Sequence, residues 1–162
     1  MYSNNFTCKY VYANTLTSPF NTATETIKVK LPPNSIRSPN MKIQLIAGTY
    51  IIDAETNGIV LKMDNTPDNY YSSDYKGACI GILDVTYARS GGGFYHYNLT
   101  STIEQPEYII SSSTQEITIS FENTAGGAFV LPPISYSYIF KLSYPVQDEI
   151  QNQFTSQINS GF

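Results

Sequence analysis

Tryptophan is absent from this chain of 162 residues, and histidine, cysteine and methionine are scarce, with one, two and three copies. Charged side chains make up 14% of the sequence, well below the roughly 25% that is usual in soluble proteins. The one histidine, His96, lies in "GGGFYHYN" next to a glycine-rich turn, and we expect it to be an exposed residue at a strand end. No GxSxG motif and no nucleophile motif around either cysteine accompanies it. The sequence therefore favours a protein that is not an enzyme and that needs no cofactor.

Basic residues are also few. The chain has nine Lys and Arg and thirteen Asp and Glu, which gives a formal net charge of −4. No run of Lys or Arg offers a surface to phosphates, so direct nucleic-acid binding is not expected. No stretch approaches the roughly eighteen apolar residues of a membrane-spanning helix. The start, "MYSNNFTCKYVYANT", has neither the basic nor the apolar region of a secretory signal. We expect no membrane insertion and no export through a signal peptide.

The two cysteines are far apart in the sequence and too few for a disulfide framework or a zinc site. Cys8 and Cys79 each lie in an apolar, strand-like segment. A free thiol in such a segment behaves as a small hydrophobic group. We expect both cysteines to be reduced residues of the core.

Segments in which polar residues alternate with apolar or aromatic residues are common in the sequence. In "ISYSYIFKLSYP" (134–145), polar residues fill one parity apart from Ile139, and large apolar or aromatic residues fill the other: Ile134, Tyr136, Tyr138, Phe140, Leu142 and Tyr144. Side chains alternate between the two faces of an extended chain, so this pattern predicts a long strand with one buried face. Tyrosine suits such a face, because its ring is buried while its hydroxyl keeps a hydrogen-bond partner.

Similar strand-like segments recur along the chain at 6–13, 25–31, 41–53, 59–63, 78–88, 94–99, 107–111 and 116–122. In the third of them Ile43, Leu45 and Ala47 share a parity, and the segment 78–88 is apolar on both parities, which is typical of a central strand. Asn57-Gly58 predicts a tight hairpin between the third and fourth segments. The pattern predicts an all-β sandwich or barrel of about eight to ten antiparallel strands.

The end of the chain is the one helical candidate. After Pro145, the apolar residues Val146, Ile150, Phe154 and Ile158 recur every four residues and would lie along one side of a helix. We divide the chain into a β-domain, 1–145, and a C-terminal arm or short helix, 146–162. This segment is either a surface-packed terminus or an arm that docks onto a neighbouring subunit.

Two segments between strands, 64–77 and 89–98, favour an alternative function in ligand binding. Carboxylate and amide oxygens crowd the first segment at Asp64, Asn65, Asp68, Asn69 and Asp74, and such oxygens are the ligands that calcium prefers. Their spacing does not match the EF-hand loop. Aromatic rings that could stack on a sugar are Tyr71, Tyr75, Phe94, Tyr95 and Tyr97. A carbohydrate- or receptor-binding module, of the lectin or fibre-tip type, is therefore the alternative to a structural protein.

The order of these segments resembles a known family. The alternating "TETIKVKL", the link "PPNSIRSPN", the long "MKIQLIAGTYIID" and the late "ITISFENTAGG…LPPISYSYIFKLSYP" are similar to the opening and closing strands of single jelly-roll capsid proteins. The penton or minor capsid proteins of double-stranded DNA viruses come closest. Trimeric tumour-necrosis-factor-like and C1q-like domains share the same general pattern.

The resemblance implies a single jelly-roll β-sandwich that acts as a structural protein of a virion and is made in the host cytoplasm. Its expected partners are copies of itself in a closed oligomer, a pentamer or a trimer, and other capsid proteins. Such rings need head-to-tail contacts. No catalytic residues are carried over from the family. For the subunit contacts we select apolar residues near the two termini: Tyr2, Phe6, Ile150, Phe154, Ile158 and Phe162.

Overall fold

The computed structural model describes residues 6–33, 40–54, 56–64, 70–71, 76–77, 79–88, 94–100, 105–124 and 132–145, and only the backbone of 6, 70–71, 76–77, 86–88 and 145. Its strands are β1 (Phe6–Asn14), β2 (Thr26–Lys30), β3 (Asn40–Ile52), β4 (Ile59–Met63), β5 (Tyr70–Tyr71), β6 (Lys76–Gly77), β7 (Gly81–Ala88), β8 (Tyr95–Leu99), β9 (Tyr108–Ser111), β10 (Glu116–Asn123) and β11 (Ser135–Pro145). No helix capable of crossing a membrane is found among these residues.

The strands pair in a nested order. β1 pairs with β11, β2 with β10, β3 with β8 and β4 with β7, and all four pairs are antiparallel. A long hairpin that rolls up on itself has this nesting, and the resulting fold is a jelly roll. Two short additions accompany it, because β9 pairs with β3, and β5 pairs with β6. The predicted fold class is confirmed.

The paired strands form one path in the order β1-β11-β3-β8-β7-β4-β10-β2. The two halves of this path face each other, because Phe121 of β10 lies against rings of the other half. Its ring centre is 5.5 Å from that of Tyr50 in β3 and 6.4 Å from that of Tyr138 in β11. The result is a nearly closed sandwich around one aromatic core. β7, predicted to be central, lies in the middle of the path.

The alternation of β11 is confirmed at five of its six apolar positions. Tyr136, Tyr138, Phe140, Leu142 and Tyr144 are each at most 2% exposed. Ile134 is the exception. It precedes β11 and is 47% exposed, so the buried face begins two residues later than the sequence predicted.

A β-bulge changes the inward parity of β3. Ile139 of β11 is opposite Ala47, but the next residue, Phe140, is opposite Leu45, so Ile46 is the extra residue. Before this point the odd positions such as Leu45 are buried, and after it the even positions from Gly48 onward are buried. Ala47 therefore does not share the buried face of Ile43 and Leu45, although it has the same parity, because the bulge reverses which parity faces the core.

Asn57-Gly58 does not form a hairpin. The strands on either side of it, β3 and β4, do not pair with each other, and β4 pairs with β7 and β10 instead. The connection is tied to other strands: the Gly58 carbonyl accepts a 2.9 Å hydrogen bond from the Thr124 amide. The Tyr97 hydroxyl donates to the Thr56 carbonyl at 2.8 Å and accepts from the Thr56 amide at 2.9 Å. These long-range contacts, and not a local hairpin, determine the conformation around Asn57-Gly58.

The buried tyrosine hydroxyls differ in their partners. Those of Tyr97 and Tyr108 are satisfied, and Tyr108 donates to the Cys79 carbonyl at 2.6 Å. Those of Tyr136, Tyr138 and Tyr144 have no hydrogen-bond partner in the described part of the chain. The prediction of satisfied hydroxyls was therefore wrong for these three. Burial raises the pKa of Tyr136 to about 12 and raises the pKa of Tyr138 well above its ordinary value of 10.0, because a buried phenolate is poorly solvated.

The cysteines lie in different environments. Cys79 is buried, and its burial raises the pKa of its thiol to about 11. Cys8 is exposed, so its predicted place in the core was wrong. The reason is parity, because Val11 and Ala13 on the other parity of β1 face the core.

β11, the last described strand, ends at Pro145. The predicted arm, 146–162, lies outside the described residues, so the division of the chain at 145 stays a prediction.

Candidate assembly surface

The path of strands has two ends, β1 and β2, and each is an edge of the sheet. β1 pairs with β11 through all nine residues from Phe6 to Asn14. No described residue pairs with its other side. β2 has five residues, and β10 is its one partner among the described strands, although Thr26 at its start also forms an isolated bridge with Asn21. An edge strand presents unpaired backbone donors and acceptors, which makes it a template for another strand.

The outer face of β1 is aromatic and uncharged. Cys8, Tyr10 and Tyr12 lie on this face, and the two tyrosines are 64% and 57% exposed. The one charged residue of the strand, Lys9, has the other parity, and its ammonium lies 5.7 Å from the centre of the Tyr144 ring. Two large rings are thus presented to the solvent next to the open edge. β1 adds no charge to this face, and the nearest charge across the pair is that of Lys141, which is opposite Tyr10.

The exposed apolar surface continues from β1 across the neighbouring strands. Tyr12 is opposite Ile139 of β11, and Ile139 is opposite Ala47 of β3, next to the bulged Ile46. Ile46 is 41% exposed. We call Tyr10, Tyr12, Ile139 and Ile46 the outer row. Contiguous apolar surface of this kind, bordered by polar residues, is typical of interaction sites.

The predicted contact residues fall mostly outside the described part of the chain. Phe6 is the first residue of β1 and is opposite Pro145, but its side chain is not described. The others, Tyr2, Ile150, Phe154, Ile158 and Phe162, lie outside the described residues. The sequence analysis missed Tyr10 and Tyr12. The alternation of "FTCKYVYA" was the available signal, but it does not say which parity faces outward.

The structure supports fewer ligand-binding residues than the sequence predicted. Phe94 is 53% exposed, but Tyr95 is half-buried and packs against the core. Tyr97 is fully buried and bonded to Thr56, so its predicted place in a sugar site was wrong. Asp68 and Tyr75 lie outside the described residues, as do Asn65, Asn69 and Asp74, and of Tyr71 only the backbone in β5 is described.

His96 and the acidic residues do not form a described site. His96 lies within β8, opposite Ile51 of β3, and is half-buried. It was predicted to be exposed, and the strands on both sides explain the difference. Within the described ranges, no group of three or more His, Cys, Asp or Glu residues is placed to hold a metal ion. Asp64 is exposed, and the rest of the predicted calcium loop lies outside those ranges.

No protein-family model matches the chain, and no curated protein matches its sequence. Among solved structures, the chain is similar to a cryo-EM structure of a virus-like particle of extra small virus from the giant freshwater prawn Macrobrachium rosenbergii. The identity is 12% and the TM-score 0.34, over 88% of this chain and 82% of that one. It is also similar to infectious bursal disease virus, Gx strain, with 14% identity and a TM-score of 0.28, over 88% of this chain and 35% of that one. Likenesses this distant assign no role, so function has to be argued from the chain's own surface.

Proposed function

We propose that this chain is a structural protein that assembles with copies of itself into a viral capsid, as a penton or minor capsid component. The observation that carries the proposal is the outer face of β1, where Tyr10 and Tyr12 are 64% and 57% exposed beside an open sheet edge. An isolated soluble domain gains nothing from such a surface, whereas a subunit buries it against a neighbour.

The rest of the composition supports contact with copies of the same chain. Charged residues make up 14% of the sequence, and the net charge is −4. Net charge keeps proteins apart through repulsion, so a chain with few charges is weakly repelled by its copies. The viral part of the proposal is supported by the nested jelly-roll order of the strands, together with the sequence layout that resembles single jelly-roll capsid proteins. The proposal assigns the protein to the virion and gives it no catalytic activity.

The absolute mass of the purified chain, measured by light scattering over a concentration series, tests this proposal. We expect a discrete closed oligomer built from pentameric or trimeric rings, whose mass does not grow further with concentration. A monomer at every concentration would contradict self-assembly and would favour the carbohydrate-binding alternative.

Replacing Ile150, Phe154 and Ile158 together by asparagine tests the predicted arm, and we expect this variant to form a smaller oligomer. A wild-type mass in this variant would leave assembly in place without the arm.

A further inference from the structure

The open side of β1 is a row of backbone groups that alternate in direction. In an antiparallel pair, the N–H and C=O groups of one residue point to the partner strand, and those of the next residue point away. All nine residues of β1 are in register with β11. The groups that point away therefore face outward from Phe6 to Ala13, and no described residue accepts or donates there. At Asn14 the strand ends, because its amide donates to Thr17 Oγ1 at 3.0 Å and its carbonyl accepts from the Ser18 amide at 2.9 Å. The open side is long enough to take a second strand of about the same length.

β2, the other edge of the sheet, has features that disfavour pairing with another strand. β2 has five residues, and Lys28 and Lys30 are exposed on its outer face. Lys28 also lies 3.4 Å from Glu116 of the neighbouring β10. A short strand with exposed lysines is the usual protection of an edge against pairing. β1 is long, contains no proline, and has no charge on its outer face, so it lacks each of these protections.

We propose that β1 pairs antiparallel with β1 of a second copy across a twofold axis, so that the sheet β8-β3-β11-β1 continues into the same sheet of the neighbour. This inference rests on the proposed function of self-assembly and identifies the partner of the β1 surface. A twofold contact joins the same surface on both subunits. Two strands of equal length and equal parity meet that condition, whereas β2 is four residues shorter than β1.

The charges and the length of β1 select one register. Tyr10 is the midpoint of Phe6–Asn14, so pairing Tyr10 with Tyr10 of the second copy places the two strands opposite each other over their whole length, although the amide and carbonyl of Asn14 are already bonded within the following turn. In this register Cys8 lies opposite Tyr12 of the second copy, and Lys9 lies opposite Val11 of the second copy. A shift that centred the pair on Lys9 would place two ammonium groups opposite each other, which is unfavourable. The outer faces stay on one side of the continuous sheet, because opposite residues of antiparallel strands share a face.

Cysteine cross-linking tests the register. In the Cys8→Ser background, Tyr10→Cys is expected to form a disulfide-linked dimer with a mild oxidant, because the two new thiols lie opposite each other. Tyr12→Cys is expected to cross-link only when native Cys8 is kept, since Cys8 of the second copy is its predicted neighbour. Lys28→Cys in the Cys8→Ser background is the control on the other edge, and we expect no dimer. Equal cross-linking from β2, or none from Tyr10→Cys, would overturn the proposed pairing.

A charge on the edge gives a second, independent readout by light scattering. Tyr10→Lys places like charges opposite each other, and we expect the mass of the oligomer to fall twofold, because the twofold contact joins two rings and each ring keeps its own head-to-tail contacts. Ile109→Lys makes the same kind of change on β9, at a side chain that is 70% exposed, and is expected to keep the wild-type mass. An oligomer unchanged by Tyr10→Lys would overturn the β1 contact while leaving self-assembly in place. A monomeric wild-type protein would contradict both proposals.

Discussion

Replacing Gly48 by valine is expected to destabilise the fold by about 3 kcal/mol. A Cβ atom at this position would lie 2.8 Å from Cδ1 and 3.1 Å from Cε1 of the Tyr138 ring, which faces Gly48 across the β3–β11 pair. The ring cannot move away freely, because its centre lies 5.3 Å from that of Tyr136 and 6.4 Å from that of Phe121. The free energy of unfolding in urea, at a fixed protein concentration, measures the effect.

Two further variants separate this steric clash from a general cost of valine in β3. Ile46→Val changes an exposed residue of the same strand, and we expect a change within about 0.5 kcal/mol. Combining Gly48→Val with Tyr138→Ala is expected to cost clearly less than the sum of the two single changes, because the valine then occupies space that the ring has left. Additive costs, or a Gly48→Val protein as stable as the wild type, would contradict the proposed role of this glycine.

The stability of the fold is expected to fall steeply as the pH rises above about 10. Burial, with neighbouring tyrosines adding to it, raises the pKa of Tyr50 and Tyr138 far above the ordinary value of 10.0. Burial raises the pKa of Tyr136 to about 12. Below pH 10 the hydroxyls are protonated in both the folded and the unfolded chain, so the stability is complete there. Above it the unfolded chain loses protons that the folded chain keeps, and the free energy of unfolding decreases.

The size of this loss follows from the number of protons. Tyr50 and Tyr138 are together expected to lower the free energy of unfolding by about 3 kcal/mol by pH 11. The contribution of Tyr136 is lost between pH 10 and about 12. Urea unfolding at pH 8, 9, 10 and 11 measures the profile.

Tyr138→Phe is the matched variant for the pH profile. Its cost at pH 8 is expected to be small, because the Tyr138 hydroxyl has no partner in the described part of the chain. Between pH 9 and 11 the variant is expected to lose about 1 kcal/mol less than the wild type, since one titrating group is gone. A wild-type stability that is constant up to pH 11, or equal losses in the two proteins, would show that these hydroxyls are solvated.

Alternation along single strands was enough to predict the fold class and most of the strands. The large side chains of β11 from Tyr136 to Tyr144 are buried with a period of two, to which the small Ser143 is the one buried exception within that range, and the buried positions of β2 and β10 alternate in the same way. Such patterns depend only on the geometry of an extended chain and on which residues avoid water. They can therefore be read from the sequence before the neighbours of each strand are known.

The errors arose where distant partners decide the structure. The bulge at Ile46 exists in the pairing of β3 with β11, which follows about ninety residues later in the chain. The Asn57-Gly58 turn is held by Tyr97 and Thr124 rather than by a hairpin partner. Neither contact leaves a local trace in the sequence, because short-range turn preferences are weaker than the packing of a whole sheet.

The candidate surface shows the same division between local and distant causes. The alternation of Cys8, Tyr10 and Tyr12 against Val11 and Ala13 is visible in the sequence, but both parities are apolar enough to be buried. The choice between them is made by β11, where Phe140 and Tyr138 lie opposite Val11 and Ala13 and share their inward face. The tyrosines are left outside as a consequence, and a surface for neighbouring subunits results.

Hydrogen exchange of the β1 backbone tests the central claim most directly. The amides of β1 that point to β11 are bonded in the monomer already, whereas the alternate amides on the open edge before Asn14 are bonded only when a second strand is present. We predict that these alternate amides exchange about tenfold more slowly, or slower still, in the assembled protein than in the dissociated protein. The open-edge amides of β2 are predicted to keep the same rate in both. Equal exchange of the open-edge β1 amides in the assembled and the dissociated protein would contradict assembly through this strand.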